Sequence, residues 1–394
     1  MASRPEPDRT DSFEGSATRI PLPRAPAEAP SSLTWLRGGE FTLGAEDELM
    51  LVDANGLLLG MAAKGVVAEL VDRMPGPGAV TKEIFVDQVE LVTPVCASGE
   101  QLAASLGEQR RWMRRHDVRA MAVGVHPQAA FGTAPLTRSA RYDPIAAEFA
   151  GLLRTPTAAF QVHVALRDEE RAIQAYRFLR NRLAVLRALG AGSPFWHGVD
   201  SGLASARSAI IRSYPRVATP PPLRSWDHYL RVMQGIVDAD DLPDYTYAWW
   251  DLRPQPRLGT LEVRVMDAQP SLTLMAGLSA LVQGLARRAV EVPDADDLPQ
   301  HFATANDLRA CRHGLATHIV DVDGMKRPLR EVALQAVRDA RVTLAPDGLD
   351  GPLDALEASI LGTGEAQRQR RLCEQAGMPA LLADLTARTM DEHT

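Results

Sequence analysis

Glu262 and Arg264 stand two residues apart in the stretch Gly259-Thr260-Leu261-Glu262-Val263-Arg264-Val265-Met266-Asp267. Two is the period of a strand face, so these side chains lie together, with Leu261, Val263 and Val265 opposite. A carboxylate there can hold a hard cation, and a guanidinium can hold a phosphate. The same two groups can equally be an ordinary ion pair on a wet strand face. Three other stretches carry comparable groups. Phe41 to Val52 puts Glu46 and Glu48 on one face and Leu43, Ala45, Leu49 and Leu51 on the other, with Asp47 as an acidic exception among them. Val86 to Val92 puts Glu90 beside Gln88, and Gln161 to Leu166 puts Gln161 and His163 opposite Val162, Val164 and Leu166.

If these four strands share a sheet, their apolar faces make a core and their other faces make an acid-lined floor. Carboxylates crowded on such a floor repel one another unless cations lie between them. Tyr247 to Pro254 is placed to pair with the Glu262 strand as a hairpin, which brings Arg253 to the floor. Thr81 to Val95 reads as extended and carries Glu83 as well as Glu90. Their odd separation would put them on opposite faces of an ideal strand, so a bend or loop must intervene for the two to meet. Helices are expected to surround the sheet. Ser98 and Gln101 form a capping box for a helix to about Asp117, Asp168 caps one that reaches Gly190, and Ser271 caps an apolar one to about Val290. The irregular 128–158 region is expected to cover part of the site. From Pro299 onward the pattern reads as helices alone, over about 301–313, 328–343, 350–361, 365–375 and 378–390.

Composition narrows the partners. The chain of 394 residues is 45% hydrophobic and 24% charged, as expected of a globular protein. A net charge of -7 and 5% aromatic residues offer neither a basic patch nor stacking platforms for nucleic acid. No apolar run approaches the roughly 20 residues that span a bilayer, so no membrane partner is expected. Cys96, Cys311 and Cys373 are too few and too widely spaced for a disulfide or zinc framework, which points to a reducing compartment. With no apolar signal region either, a cytoplasmic protein is expected. Residues 1–33, rich in Pro, Ala, Ser and charge, read as a disordered tail. An exposed edge of the sheet would favour a homodimer.

Taken together, these motifs resemble the type 2 glutamate–cysteine ligase family, including its carboxylate–amine ligase branch. The resemblance is carried by Leu43-Gly44-Ala45-Glu46-Asp47-Glu48-Leu49, Glu90-Leu91-Val92-Thr93-Pro94-Val95-Cys96, Gln161-Val162-His163-Val164, Ser193-Pro194-Phe195-Trp196 with Asp200, Gly202 and Arg207, Trp250-Asp251-Leu252-Arg253-Pro254, Gly259 to Arg264, and Asn306 to Leu315. It implies an α+β fold in which a glutamine-synthetase-like, mostly antiparallel sheet forms the active-site floor, wrapped by helices. One catalytic domain would cover 34–394, with a helical C-terminal part from about 300. It implies an ATP-dependent, ADP-forming ligase acting on small-molecule amino acid and amine substrates. ATP would phosphorylate the side-chain carboxylate of glutamate, and the amine of cysteine or another small amine would displace phosphate to give an amide.

By the same resemblance, Glu46, Glu48, Glu83, Glu90, His163 and Glu262 would be ligands of Mg2+ or Mn2+. Arg253 and Arg264 would grip the transferring phosphoryl group, and Asp200, Arg207, Gln161 and Trp250 would bind substrate. Asp200 and Arg207 can equally be a salt bridge that orders the 192–207 loop. The chain departs from the family pattern at Gln161, where a histidine is expected, at Ala165, where a glycine is expected, and at acidic Asp47, where an apolar residue is usual. Gln161 hydrogen-bonds but does not replace imidazole as a strong metal ligand, which bears on substrate choice. Two other readings suit such a floor. One is a guanidino-type kinase that phosphorylates an acceptor and stops. The other is a non-catalytic nucleotide- or metal-binding relative, which would be expected to lose some of the acids, whereas Glu46, Glu48, Glu90 and Glu262 are all present.

Overall fold

The computed structural model of the chain describes residues 33–149, 151–214, 216–292 and 296–391. All of the expected 1–33 tail except Leu33 lies outside the described residues. The strands are β1 (Leu43–Leu51), β2 (Ala79–Lys82), β3 (Gln88–Val92), β4 (Ala120–Met121), β5 (Ala159–Ala165), the short pair β6 (Phe195–Trp196) and β7 (Val199–Asp200), β8 (Leu252–Gln255), β9 (Thr260–Asp267), and the pair β10 (His318–Val320) and β11 (Lys326–Pro328). The polar-faced stretches become neighbours in one antiparallel sheet of order β2-β3-β1-β5-β9-β8, with β4 added at the end of β1. The register sets the floor. Glu48 lies opposite Glu90, Glu46 opposite Gln161, His163 opposite Glu262, and Glu262 opposite Arg253.

The helices are α1 (Ala63–Arg73), α2 (Gly99–Arg115), α3 (Tyr142–Glu148), α4 (Glu169–Arg180), α5 (Leu183–Leu189), α6 (Ala206–Ile211), α7 (Trp226–Ala239), α8 (Leu272–Glu291), α9 (Gln300–His313), α10 (Leu329–Leu344), α11 (Pro352–Leu361) and α12 (Glu365–Met390). Ser98, Asp168 and Ser271 cap α2, α4 and α8 as expected, each accepting from a backbone N–H three residues on. The apolar sheet face meets a helical layer in which α8 is central, packed on α2, α4, α10 and α11. Gly284 lets α10 approach α8 closely, because a Cβ there would press on Ala340. Leu43, Leu49, Val89, Leu91, Val162, Val164, Leu261 and Val263 are buried in one cluster with residues from Leu33 to Met390. Each such side chain contributes about 1.5–3 kcal/mol on burial.

Asp47 sits on this apolar face with its Oδ2 bonded to a buried partner, while its Oδ1 is buried without one among the described residues. Arg110 of α2 donates to its Oδ2 from Nε at 3.0 Å and from Nη2 at 2.8 Å. At the hairpin between β8 and β9, Gly259 has φ 64°, and a Cβ there would collide with the Leu36 carbonyl oxygen. Gly259→Ala is expected to cost on the order of 2–3 kcal/mol, read as a lowered urea midpoint.

Three of the expected secondary-structure elements differ in the structure. The single helix expected from Asp168 to Gly190 is two, α4 and α5, because Asn181 is drawn into tertiary bonds: its Nδ2 donates to Asp296 O at 2.7 Å, and its Oδ1 accepts from Leu298 N. Thr81 to Val95 is broken at 84–87 by a turn between β2 and β3. Inside the supposedly all-helical C-terminal part lies the β10–β11 hairpin, docked by the Asn306 amide on both backbone groups of Val320. The two expected helices at 365–375 and 378–390 are the halves of α12, which bends at Gly377 with φ 82°. Among the described residues, no helix is long and apolar enough to cross a membrane.

Candidate active site

Above the polar face lies a cleft of about 410 Å³. The six acidic and histidine side chains expected to bind metal fall into two groups at this face, with Glu46, Glu48, Glu83 and Glu90 lining the cleft and His163 and Glu262 buried beside them in the sheet. Glu46, His163 and Glu262 form one, and Glu48, Glu83 and Glu90 form the other; within each, one ligand atom per residue lies within 4.8 Å of the rest. Strand alternation brings Glu46 and Glu48 up from β1, Glu90 from β3, His163 from β5 and Glu262 from β9. Glu83 joins them because β2 ends at Lys82 and the chain turns, which frees Glu83 from the strand's alternation.

The first group is tightly tied. His163 Nε2 lies 3.2 Å from Glu46 Oε1, and its Nδ1 lies 3.0 Å from Thr260 Oγ1. A hydroxyl on Nδ1 fixes the ring and leaves Nε2 directed at the carboxylates, as a metal-ligating histidine requires. Glu262 is fully buried and accepts from Arg253 Nε at 2.8 Å and Nη2 at 3.2 Å, from Gln255 Nε2, and from Arg264 Nη1. Burial opposes its charge, but Arg253 and Arg264 beside it hold its carboxyl far below the usual range. Gln161 joins the two groups: its Oε1 accepts from Arg264 Nη1 and its Nε2 donates to Glu48 Oε1.

The second group is under electrostatic stress. Burial, then the neighbouring Glu48 charge, pushes Glu83 up to about 8. Burial, then Glu46, Glu83 and Glu48, raises Glu90 well above the ordinary value, although Thr81 Oγ1 donates to it at 2.9 Å. Burial raises Glu48 too, against the pull of Arg207 and Arg264. Crowded buried carboxylates of this kind are stabilised by hard cations, which take oxygen ligands. Because Glu83 binds its proton more tightly folded than unfolded, the folded state holds the extra proton between about pH 4.5 and 8. Stability of the metal-free protein should therefore fall as pH rises through that window, and Mg2+ should restore it at the alkaline end. Thermal melts at pH 5 and pH 8 with and without Mg2+ check this, and Glu83→Gln should flatten the metal-free dependence.

A bulge aims Arg264. Phe160 pairs with Met266 but Val162 pairs with Val263, so Gln161 alone faces both Arg264 and Val265. The extra residue re-aims its strand, a feature common beside active sites. Arg264 still reaches the polar side with Glu262, and Val265 is buried in the main core with Leu261 and Val263, as alternation expects. Three backbone groups of the bulge have partners outside their own strand pair. Arg264 N donates to Asp251 O at 2.8 Å, Arg207 Nη2 donates to Arg264 O at 3.2 Å, and Arg187 Nη1 donates to Val265 O at 3.5 Å. Asp251 and Arg187 belong to a largely buried ring with Arg212 and Asp307, in which Arg187 pairs with Asp251 at 3.0 Å and Arg212 pairs with Asp307 at 2.9 Å.

The remaining expected residues divide. Arg207 is 5% exposed and lines the cleft, as do Gln161, Arg253 and Arg264. Trp250 does not: it is buried in the main core, and its neighbour Trp249 takes the place at the cleft wall, because 245–247 is a short 3-10 turn that shifts which side chain faces inward. Asp200 does not either. It sits on the β6–β7 hairpin and pairs with Arg370 Nε at 2.8 Å, not with Arg207. The 128–158 region does cover the site, through Arg141, Tyr142, Ile145, Phe149 and Leu153. Gln255, Thr81 and Asp251 also line the cleft and were not singled out from the sequence. Gln255 could have been, since it lies two residues beyond Arg253 on the same strand face. Tyr142 and Trp249 carried no such signal.

Residues 42–378 match the model of glutamate-cysteine ligase family 2. A protein of Rubrobacter xylanophilus named "Putative glutamate–cysteine ligase 2-1" is 33% identical over 348 residues, covering 86% of this chain and 91% of its own. One of Frankia casuarinae bearing the same name is 32% identical over 350 residues, covering 85% and 91%. The fold is also that of the glutamate–cysteine ligase of Francisella tularensis, solved in complex with AMP, with a TM-score of 0.68 at 13% identity over 89% of this chain and 88% of that one. A bifunctional glutathione synthetase from Pasteurella multocida gives a TM-score of 0.63 at 15% identity, covering 89% of this chain and 52% of its own. The chain belongs to glutamate-cysteine ligase family 2, a family of carboxylate–amine ligases.

Proposed function

We propose that this protein is an ATP-dependent, ADP-forming ligase that activates the side-chain carboxylate of glutamate as an acyl phosphate and couples it to the amine of cysteine or another small amine. The observation that carries the reading is the pair of three-residue groups, Glu46–His163–Glu262 and Glu48–Glu83–Glu90, of which Glu46, Glu48, Glu83 and Glu90 line one cleft together with Arg264. Five carboxylates and one imidazole suit Mg2+ and also Mn2+, and cations held by them would neutralise the phosphate oxygens of ATP. The arrangement is one for positioning and charge neutralisation, which is what phosphoryl transfer demands of a protein.

In this reading a carboxylate oxygen of the acid attacks the γ-phosphorus and ADP leaves. The amine then attacks the acyl carbon, phosphate leaves with that oxygen, and the amine gives up a proton. Arg264 offsets the charge of the transferring group from the side of β9, and Glu262 holds Arg253 and Arg264 in place. Arg207 reaches the cleft at the Glu48 end, where its charge is available to an anionic substrate group. Ile145, Phe149, Leu153 and Trp249 wall the cleft with apolar surface that keeps water from the acyl phosphate.

The test is to incubate the protein with ATP, Mg2+, glutamate and a panel of amines that includes cysteine, following ADP and new amides together by mass spectrometry. Matched ADP and amide establish the ligase and name the acceptor. A stable phosphorylated acceptor without amide would replace this reading with a kinase. No ADP with any acid or amine, from protein shown to bind ATP, would leave a binding protein.

A further inference from the structure

A second cavity, of about 620 Å³, opens where helix ends meet, and it shares no lining residue with the cleft. Its walls come from the end of α5, Gly202 and Ala204, the end of α9, the start of α10, the end of α11 and the first turns of α12. Arg312, Arg330, Arg370, Arg371 and His313 line it, against Glu365 as the carboxylate, in a chain whose net charge is -7. Glu365 is already neutralised by Arg368 and Arg388. Arg330 donates to Ile360 O, and Arg370 donates to Asp200 and to Leu203 O. The side chains of Arg312 and Arg371 make no hydrogen bond or ion pair with any described residue, although the Arg312 carbonyl oxygen accepts from Ala204 N at 3.1 Å. The first turn of α12 has no side-chain cap, so its leading N–H groups add positive potential on the same wall. Guanidinium groups gathered around a cavity the size of a small-molecule site are suited to bidentate capture of oxyanions.

The cavity also touches the catalytic side through one segment. Arg370 holds Asp200 and Leu203, Ala204 lines the cavity wall, Ser205 Oγ donates to Asp267 Oδ1 at 2.8 Å, and Arg207 lines the cleft and holds the bulge at Arg264. We propose that this cavity binds a small molecule bearing two or more phosphate or carboxylate groups, and that its occupancy is felt in the cleft through residues 200–207.

The experiment is isothermal titration of the full chain, without metal, using pyrophosphate and citrate as separate probes. It is run on wild type, on Arg312→Ala/Arg371→Ala and on Arg264→Ala. Both arginines of the double variant are exposed, so it should fold as wild type does. At least one probe should bind at one site per chain. That binding should weaken at least roughly tenfold in the double variant, persist in Arg264→Ala and decline with salt. Which probe binds separates phosphate from carboxylate ligands. No binding by either probe at about 10 mM, undiminished binding in the double variant, or loss confined to Arg264→Ala would each overturn the site. Hydrogen exchange across 200–207 should slow with the bound probe in wild type and in Arg264→Ala but not in the double variant; unchanged exchange in the bound wild type would overturn the coupling. Neither readout depends on ligase turnover, so failure here is separable from failure of the ligase reading.

Discussion

Arg264→Ala is expected to lower kcat by on the order of 10³-fold, with the thermal midpoint changed far less than activity. Arg264 is held on two sides, by Glu262 and Gln161, and its backbone is fixed by Asp251 and Arg207, so it meets substrate already oriented. A charge fixed before reaction needs no rearrangement when negative charge develops, and this is where preorganised cations contribute most. Burial opposes its charge, but Glu262, Glu46 and Glu48 raise its pKa well above the ordinary value, so it remains a cation throughout the working range. Arg264→Lys should recover little, because one ammonium cannot serve Glu262, Gln161 and a phosphoryl oxygen with the planar fork of a guanidinium. Steady-state kinetics on the three proteins check this. An Arg264→Ala enzyme within a factor of a few of wild type would remove Arg264 from the phosphoryl site.

The second large effect is on stability. Arg110→Met should cost about 3–5 kcal/mol, because it leaves the Asp47 carboxylate buried without its cation. Asp47 is 0% exposed and Arg110 is 2% exposed. Burial pushes the Asp47 carboxyl up, and Arg110 pulls it back only in part. Arg110 also donates to Pro270 O and Gln269 O, tying α2 to the chain just after β9. Replacing both partners by apolar residues, Asp47→Leu with Arg110→Met, should recover most of the loss, since well-packed apolar side chains substitute for buried ion pairs. Urea unfolding of the two single variants and the double variant measures the coupling. Additive losses would show that the pair is not what stabilises this face.

The polar floor was legible because alternation is a strong signal, and each of its strands carries both an apolar face and a charged one. That logic places Glu46, Glu48, Glu90, His163 and Glu262 correctly from spacing alone. Glu83 needed a loop whose position spacing does not give. The β8–β9 hairpin was readable from Tyr247 to Pro254 leading into the Glu262 strand, but the bulge at Arg264–Val265 was not, because a bulge changes pairing without changing composition. The missed hairpin at 318–328 has strands of three residues, too short for any period to show. Trp250 and Trp249 could not be told apart, since a short turn decides which of two adjacent rings faces inward. Asp200 shows how a residue inside a recognisable motif can belong to a different part of the surface: its partner, Arg370, is 170 positions away.

The most direct measurement of the ligase claim uses glutamate labelled with 18O in its side-chain carboxylate, together with ATP, Mg2+ and the amine that supports turnover. An acyl phosphate intermediate requires one carboxylate oxygen to leave with the phosphate. The account predicts one 18O atom in each inorganic phosphate released, in step with amide and ADP. Unlabelled phosphate alongside amide, or release of AMP and pyrophosphate in place of ADP, would contradict it.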